Sequence, residues 1–110
     1  MAMKHSKFEV FKGKNGRVYF RLRSRSGEII LSGQGYRAPW ECRRGIAAVK
    51  ANARLAKRYL EKTAKNGQSY FVLIAGNNHT IGKSELYRTR QALKRGIQAV
   101  MKAAPTAVIK

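Results

Sequence analysis

Gly13-Lys14-Asn15-Gly16-Arg17-Val18-Tyr19-Phe20-Arg21-Leu22 returns 51 residues later as Ala64-Lys65-Asn66-Gly67-Gln68-Ser69-Tyr70-Phe71-Val72-Leu73. The match runs on without a gap. Ile30 falls on Ile81, Tyr36-Arg37 on Tyr87-Arg88, Arg44-Gly45-Ile46 on Arg95-Gly96-Ile97, and Ala48-Val49 on Ala99-Val100. An internal repeat of this length is the mark of a supersecondary unit that cannot bury its apolar face alone and packs against its copy. None of the identical positions is a plausible catalytic acid, base or nucleophile, so the duplication speaks of architecture.

Each copy reads as three strands and a helix. In the first, Phe8–Lys12 and Arg17–Arg23 are strands joined by Gly13-Lys14-Asn15-Gly16, whose Asn-Gly suits positive φ. Ser24-Arg25-Ser26-Gly27 then turns into a third strand, Glu28–Ser32. The second copy places strands at Tyr59–Thr63, Ser69–Ile74 and His79–Ser84. Strands joined by such short turns pair antiparallel. The helices are Pro39–Asn52 and Arg90–Ala103, with Thr89 suited to N-cap the latter and Pro39 to the first turn of the former. Cys42, Ile46 and Val49 recur at helical spacing, as do Leu93, Ile97 and Val100, giving one apolar stripe per helix.

Gly45 and Gly96 sit beside those stripes. A glycine inside a helix costs about 1 kcal/mol against alanine. The same cost at two equivalent positions points to helix backbone lying close against the sheet, under an aromatic ring. The fold class is therefore α+β: tandem βββα repeats forming one antiparallel sheet with two helices packed on it. The expected organisation is a single domain over 1–110, with repeats at about 8–52 and 59–103. A linker at 53–58 could extend the first helix by a turn. In the tail, 104–110, Pro105 stops the second helix and Val108-Ile109 could add a short strand.

The chain resembles the YegP-like family of small proteins. The likeness rests on Phe8-Glu9-Val10-Phe11, Asn15-Gly16, Tyr19-Phe20-Arg21-Leu22, Gly35-Tyr36 and Gly45–Asn52. The second copy carries Asn66-Gly67, Tyr70–Leu73, Leu86-Tyr87 and Gly96–Val100 in the same order. It runs from about Phe8 to Lys102. The resemblance implies that both copies share one sheet and that C-terminal strands are exchanged between the halves, with Val108-Ile109 as such a strand. It implies no activity.

Charge narrows the partners. Lys and Arg number 24 against 5 acids, a net charge of +19, and both halves carry the excess. Such a chain repels itself and favours a polyanion: DNA, RNA or an anionic surface. Alternation along the second strand sends Val18, Phe20 and Leu22 to one face and Arg17, Tyr19, Arg21 and Arg23 to the other, with Arg25 following in the turn. Guanidiniums grip phosphate bidentately, and a ring among them can stack on a base. The helix residues Arg43, Arg44 and Arg95 would add phosphate contacts. A solvated face whose arginines discourage edge pairing is the alternative. The equivalents in the second copy, Tyr70, Val72 and Ile74, make that face apolar. Exposed, they would suit a protein contact or self-association; covered, they are core.

Enzyme chemistry finds little support. The five glutamates are scattered, His5 and His79 stand alone, and Cys42 aligns with Leu93 as a small buried hydrophobe. No cofactor and no metal site are expected, since two histidines without clustered cysteines or carboxylates do not make one. No apolar run approaches a membrane span, and the first residues lack the apolar stretch of a secretion signal. The expectation is a cytoplasmic, non-enzymatic module that binds nucleic acid with little sequence preference. The alternative is a structural or protein-interaction module with no nucleic-acid role.

Overall fold

Alternating apolar residues and tight turns produce two three-stranded meanders. A computed structural model describes residues 5–109. The first meander is β1 (Lys7–Lys12), β2 (Val18–Arg23) and β3 (Ile29–Ser32), and the second is β4 (Tyr59–Thr63), β5 (Ser69–Ile74) and β6 (Thr80–Lys83). Helix α1 (Pro39–Asn52) follows the first and α2 (Arg90–Ala103) the second, and β7 (Val108–Ile109) ends the fold. The hairpin turns carry positive φ at Gly16, Gly27 and Gly67. At the position equivalent to Gly27 stands Asn78, with φ of 69°, one of the few other residues that tolerates the left-handed region. The side chain of Thr89 caps α2, its Oγ1 accepting from the Ala92 amide at 3.0 Å.

The seven strands form one sheet in the order β4-β5-β6-β3-β2-β1-β7. The two meanders meet through a single residue pair, Ser32 opposite Lys83. These are equivalent positions of the duplication, so the pseudo-twofold axis of the molecule runs between them. Beyond the expected antiparallel pairs the sheet is mixed, because β7 runs parallel to β1, pairing Lys7 with Val108 and Phe8 with Ile109. The tail returns from α2 beside the start of β1, and the Val108 amide donates to the Ser6 carbonyl at 3.2 Å. The C-terminal strand of the second copy thus completes the sheet of the first.

Both helices cover one face of the sheet. The core between them holds Phe8, Phe20, Leu22, Leu31, Phe71 and Leu73 from strands and Cys42, Ile46, Val49, Leu93 and Val100 from helices. The same edge-to-face contact recurs in each copy, Phe8 on Phe20 and Tyr59 on Phe71. The ring that lies on each helix glycine is a tyrosine. A Cβ on Gly45 would approach Cζ of Tyr36 to 2.7 Å, and one on Gly96 would approach Cζ of Tyr87 to 2.6 Å.

The linker does not extend α1. The chain turns after Ala53, and Ala56–Arg58 form a 3₁₀ turn that leads directly into β4. Tyr59 fixes that exit, its buried hydroxyl donating to the Ala53 carbonyl at 2.7 Å. Burial pushes that phenol well above its ordinary pKa.

Candidate nucleic-acid interface

The face of the sheet away from the helices carries the basic row. Along β2, Val18, Phe20 and Leu22 are buried while Tyr19, Arg21 and Arg23 remain partly exposed on the opposite side. Antiparallel pairing with β1 brings Phe11 beside Tyr19 and Glu9 beside Arg21. The rings of Phe11 and Tyr19 stack with centroids 5.7 Å apart and planes 18° off parallel. The Arg21 guanidinium lies over Phe11, 4.3 Å from its centroid. Asn15 holds the outer end of Tyr19 by donating to its hydroxyl at 2.8 Å. Arg17 stands exposed at the head of the strand. The result is a cation–aromatic platform about two strands wide.

One carboxylate sits inside it. Arg23 Nε donates to Glu9 Oε1 at 3.1 Å, and its Nη1 donates to the Gly27 carbonyl at 2.8 Å. Arg21 Nε lies 3.0 Å from the same Glu9 oxygen, but its N–H is not aimed at it, so that contact is ionic and the N–H has no hydrogen-bond partner. Lys7 completes the cluster at 3.9 Å. Burial works against ionisation of Glu9, but the Arg23 hydrogen bond and the charges of Arg23, Arg21 and Lys7 outweigh it, holding the carboxyl below the ordinary range. One negative charge against three positive ones leaves the cluster net positive.

The remaining candidates lie elsewhere. Arg43, Arg44 and Arg95 are exposed on the helices, across the molecule from the β2 row, so no single flat surface can engage both groups. Arg25 projects from the β2–β3 turn. On the second copy, Tyr70 is half-buried with the Lys83 ammonium 4.8 Å from its ring centroid. Val72 and Ile74 are only 7% and 8% exposed, flanked in the sheet by Leu60 and Lys83 and by Thr80. They are sheltered by neighbouring strands; the tail, on the far edge of the sheet, does not cover them. Leu60 and Tyr70 are what this end of the face offers to a partner.

Three residues of these surfaces escaped the sequence reading. Glu9 and Phe11 were legible through hairpin register: pairing Lys12 with Val18 across the Gly13–Gly16 turn sets Glu9 against Arg21 and Phe11 against Tyr19. Trp40, 60% exposed with the Arg44 guanidinium 5.9 Å from its ring, was legible as an i, i+4 pair on α1.

Among the described residues, no helix is long and apolar enough to cross a membrane. Among the described residues, no group of three or more His, Cys, Asp or Glu is arranged to hold a metal ion. Cys42 is fully buried, and burial raises its thiol pKa.

The family model described as "Domain of unknown function (DUF1508)" matches twice, at residues 14–59 and 64–110. The chain is 41% identical over 110 residues to UPF0339 protein YegP of Yersinia pestis, covering all of this chain and 96% of that one. The chain belongs to the UPF0339 (YegP) family. Two UPF0339 structures determined by solution NMR share its fold. YegP of Escherichia coli superposes with a TM-score of 0.91 at 34% identity, over 100% of this chain and 94% of that chain. UPF0339 protein SO3888 of Shewanella oneidensis gives 0.89 at 34% identity, over 96% and 89%. The likeness thus spans both repeats of the UPF0339 architecture, including the sheet that carries the cation–aromatic platform.

Proposed function

We propose that this protein is a non-enzymatic, cytoplasmic nucleic-acid-binding module with little sequence preference, acting through the β1–β2 face. The observation that carries the reading is the Phe11–Tyr19 stack with Arg21 lying over it, flanked by Arg17 and Arg23. Stacked rings offer a surface to unpaired bases, and guanidiniums beside them meet phosphates. Nothing on the face resembles a base-reading element, so binding draws on charge and stacking.

Glu9 gives the reading a distinctive test. A phosphate approaching Arg21 and Arg23 competes with the carboxylate, so Glu9 sets how available the guanidiniums are. Replacing Arg21 and Arg23 by alanine should weaken single-stranded DNA or RNA binding by at least about tenfold at physiological salt and flatten the salt slope by about 1–2. Glu9→Gln should act oppositely, tightening binding and steepening the slope. Fluorescence anisotropy across a salt series, with circular dichroism to confirm folding, checks both. Unchanged affinity in the arginine variant would rule this face out.

A further inference from the structure

A second basic site lies away from that face. Where the β2–β3 turn approaches the last turn of α2, a cleft of about 640 Å³ opens between the first copy's sheet and the second copy's helix. Its polar lining residues include Ser6, Ser24, Arg25, Ser26, Lys102 and Thr106, and no carboxylate stands among the described residues that line it. Ser24 and Ser26 share a hydroxyl–hydroxyl hydrogen bond of 2.9 Å, which leaves one of their two protons free to donate outward. Arg25 and Lys102 are exposed to solvent from opposite walls. Against an anion works the partial negative charge at the C-terminal end of α2, which Lys102 in that turn offsets.

The duplication supplies an internal control. A related groove of about 310 Å³ lies between the β5–β6 turn and α1. The fold therefore opens space here twice, but the chemistry differs. Ser24, Arg25 and Ser26 correspond to Ala75, Gly76 and Asn77, and Lys102 corresponds to Ala51. The second groove has donors of its own in Gln34, Arg44, Asn77, His79 and Thr80, but it also admits the carboxylate of Glu41. What sets the first cleft apart is therefore that no carboxylate stands among its described lining residues, while the cations Arg25 and Lys102 do.

We infer that this cleft binds the phosphomonoester group of a small organic phosphate. A tetrahedral dianion takes donors from several directions, which the guanidinium, ammonium and hydroxyls on separate walls provide. The volume falls within the range of small-molecule sites and holds a sugar or nucleoside beyond the phosphate. A free metabolite and the 5′-terminal phosphate of a nucleic acid present the same group. The site is separate from the β1–β2 face, so the two ideas stand or fall independently.

The experiment is an amide NMR titration of the full-length protein with inorganic phosphate, ribose 5-phosphate and adenosine 5′-monophosphate. A single-stranded octamer with and without its 5′-phosphate completes the series. With inorganic phosphate and the two organic phosphates, saturable shifts confined to Ser24–Ser26, Lys102 and Thr106 are expected; shifts of the β1–β2 face with the octamers test the proposed function instead. R25Q/K102Q should weaken the organic phosphates by at least about tenfold, while R54Q/K57Q, which removes equal charge elsewhere, should change them less than about twofold. Tighter binding of the octamer with its 5′-phosphate than of the one without it would name a nucleic-acid end as the source; equal binding of the two octamers, with saturable binding of the monophosphates, would name a metabolite. Monophosphate shifts spread over the whole basic surface, equal losses in both double variants, or no shift with any phosphomonoester would overturn the inference.

Discussion

Tyr36 and Tyr87 do the same work in the two copies: each lies on a helix glycine and stacks on a core phenylalanine. Tyr36 is 6.4 Å from Phe20 at 19°, and Tyr87 is 6.4 Å from Phe71 at 9°. The ring is therefore backed on the side away from the helix and cannot easily retreat. Gly45→Ala would gain about 1 kcal/mol of helix propensity but force overpacking of about 1–3 kcal/mol. The expected net is a melting temperature lower by about 5 °C, partly restored by adding Tyr36→Phe, which removes the hydroxyl nearest the new methyl. Thermal unfolding followed by circular dichroism reads this directly, and a raised melting temperature in the single variant would refute the close-packing account. These glycines were legible in the sequence because an unfavourable choice was made twice at matched positions. Glu9 was legible only through hairpin register, because its counterpart is Leu60 and its meaning depends on a neighbouring strand. Periodicity assigns a residue to a face but does not say what stands beside it.

At the scale of elements, the hairpins and both helices follow from local signals: Asn-Gly turns, alternating apolar residues, the Thr89 cap and the apolar stripes. What local signals could not give is the partner and direction of β7, settled by tertiary closure between opposite ends of the chain. The linker takes a 3₁₀ turn and not a further helical turn for a related reason. Ala53-Arg54 suits a helix, but the Tyr59 hydroxyl takes the Ala53 carbonyl and the next strand must begin at once. β7 also shields the outer edge of β1, whereas no described strand pairs with the outer edge of β4. Truncation after Ala107 should remove that protection. With each lost ladder bond worth about 0.5–1.5 kcal/mol, the expected loss in melting temperature is about 5–10 °C. The exposed β1 edge should also promote association visible by light scattering. Unchanged stability and scattering would show that β1 is content as an edge.

For the whole molecule, the net charge of +19 is a standing cost of compactness. Raising sodium chloride from about 0.05 to 0.5 M shortens the screening length severalfold and should raise the melting temperature by several degrees. Because one chain supplies both halves, that temperature should not depend on protein concentration, which differential scanning calorimetry at two concentrations would check. A fall with added salt would mean that favourable ion pairs outweigh the repulsion.

The seam between Ser32 and Lys83 carries a consequence for how such a protein can change. In a dimer of identical subunits, a residue on the twofold axis must tolerate its own twin, so lysine there would confront lysine. Joining the halves in one polypeptide lifts that veto, and serine can face lysine. The same release applies away from the axis. One half of the sheet is free to become cationic and aromatic while its mirror position becomes aliphatic, and one cleft can gather donors while its twin keeps a carboxylate. Duplication preserved the scaffold and abolished its obligation to be the same on both sides.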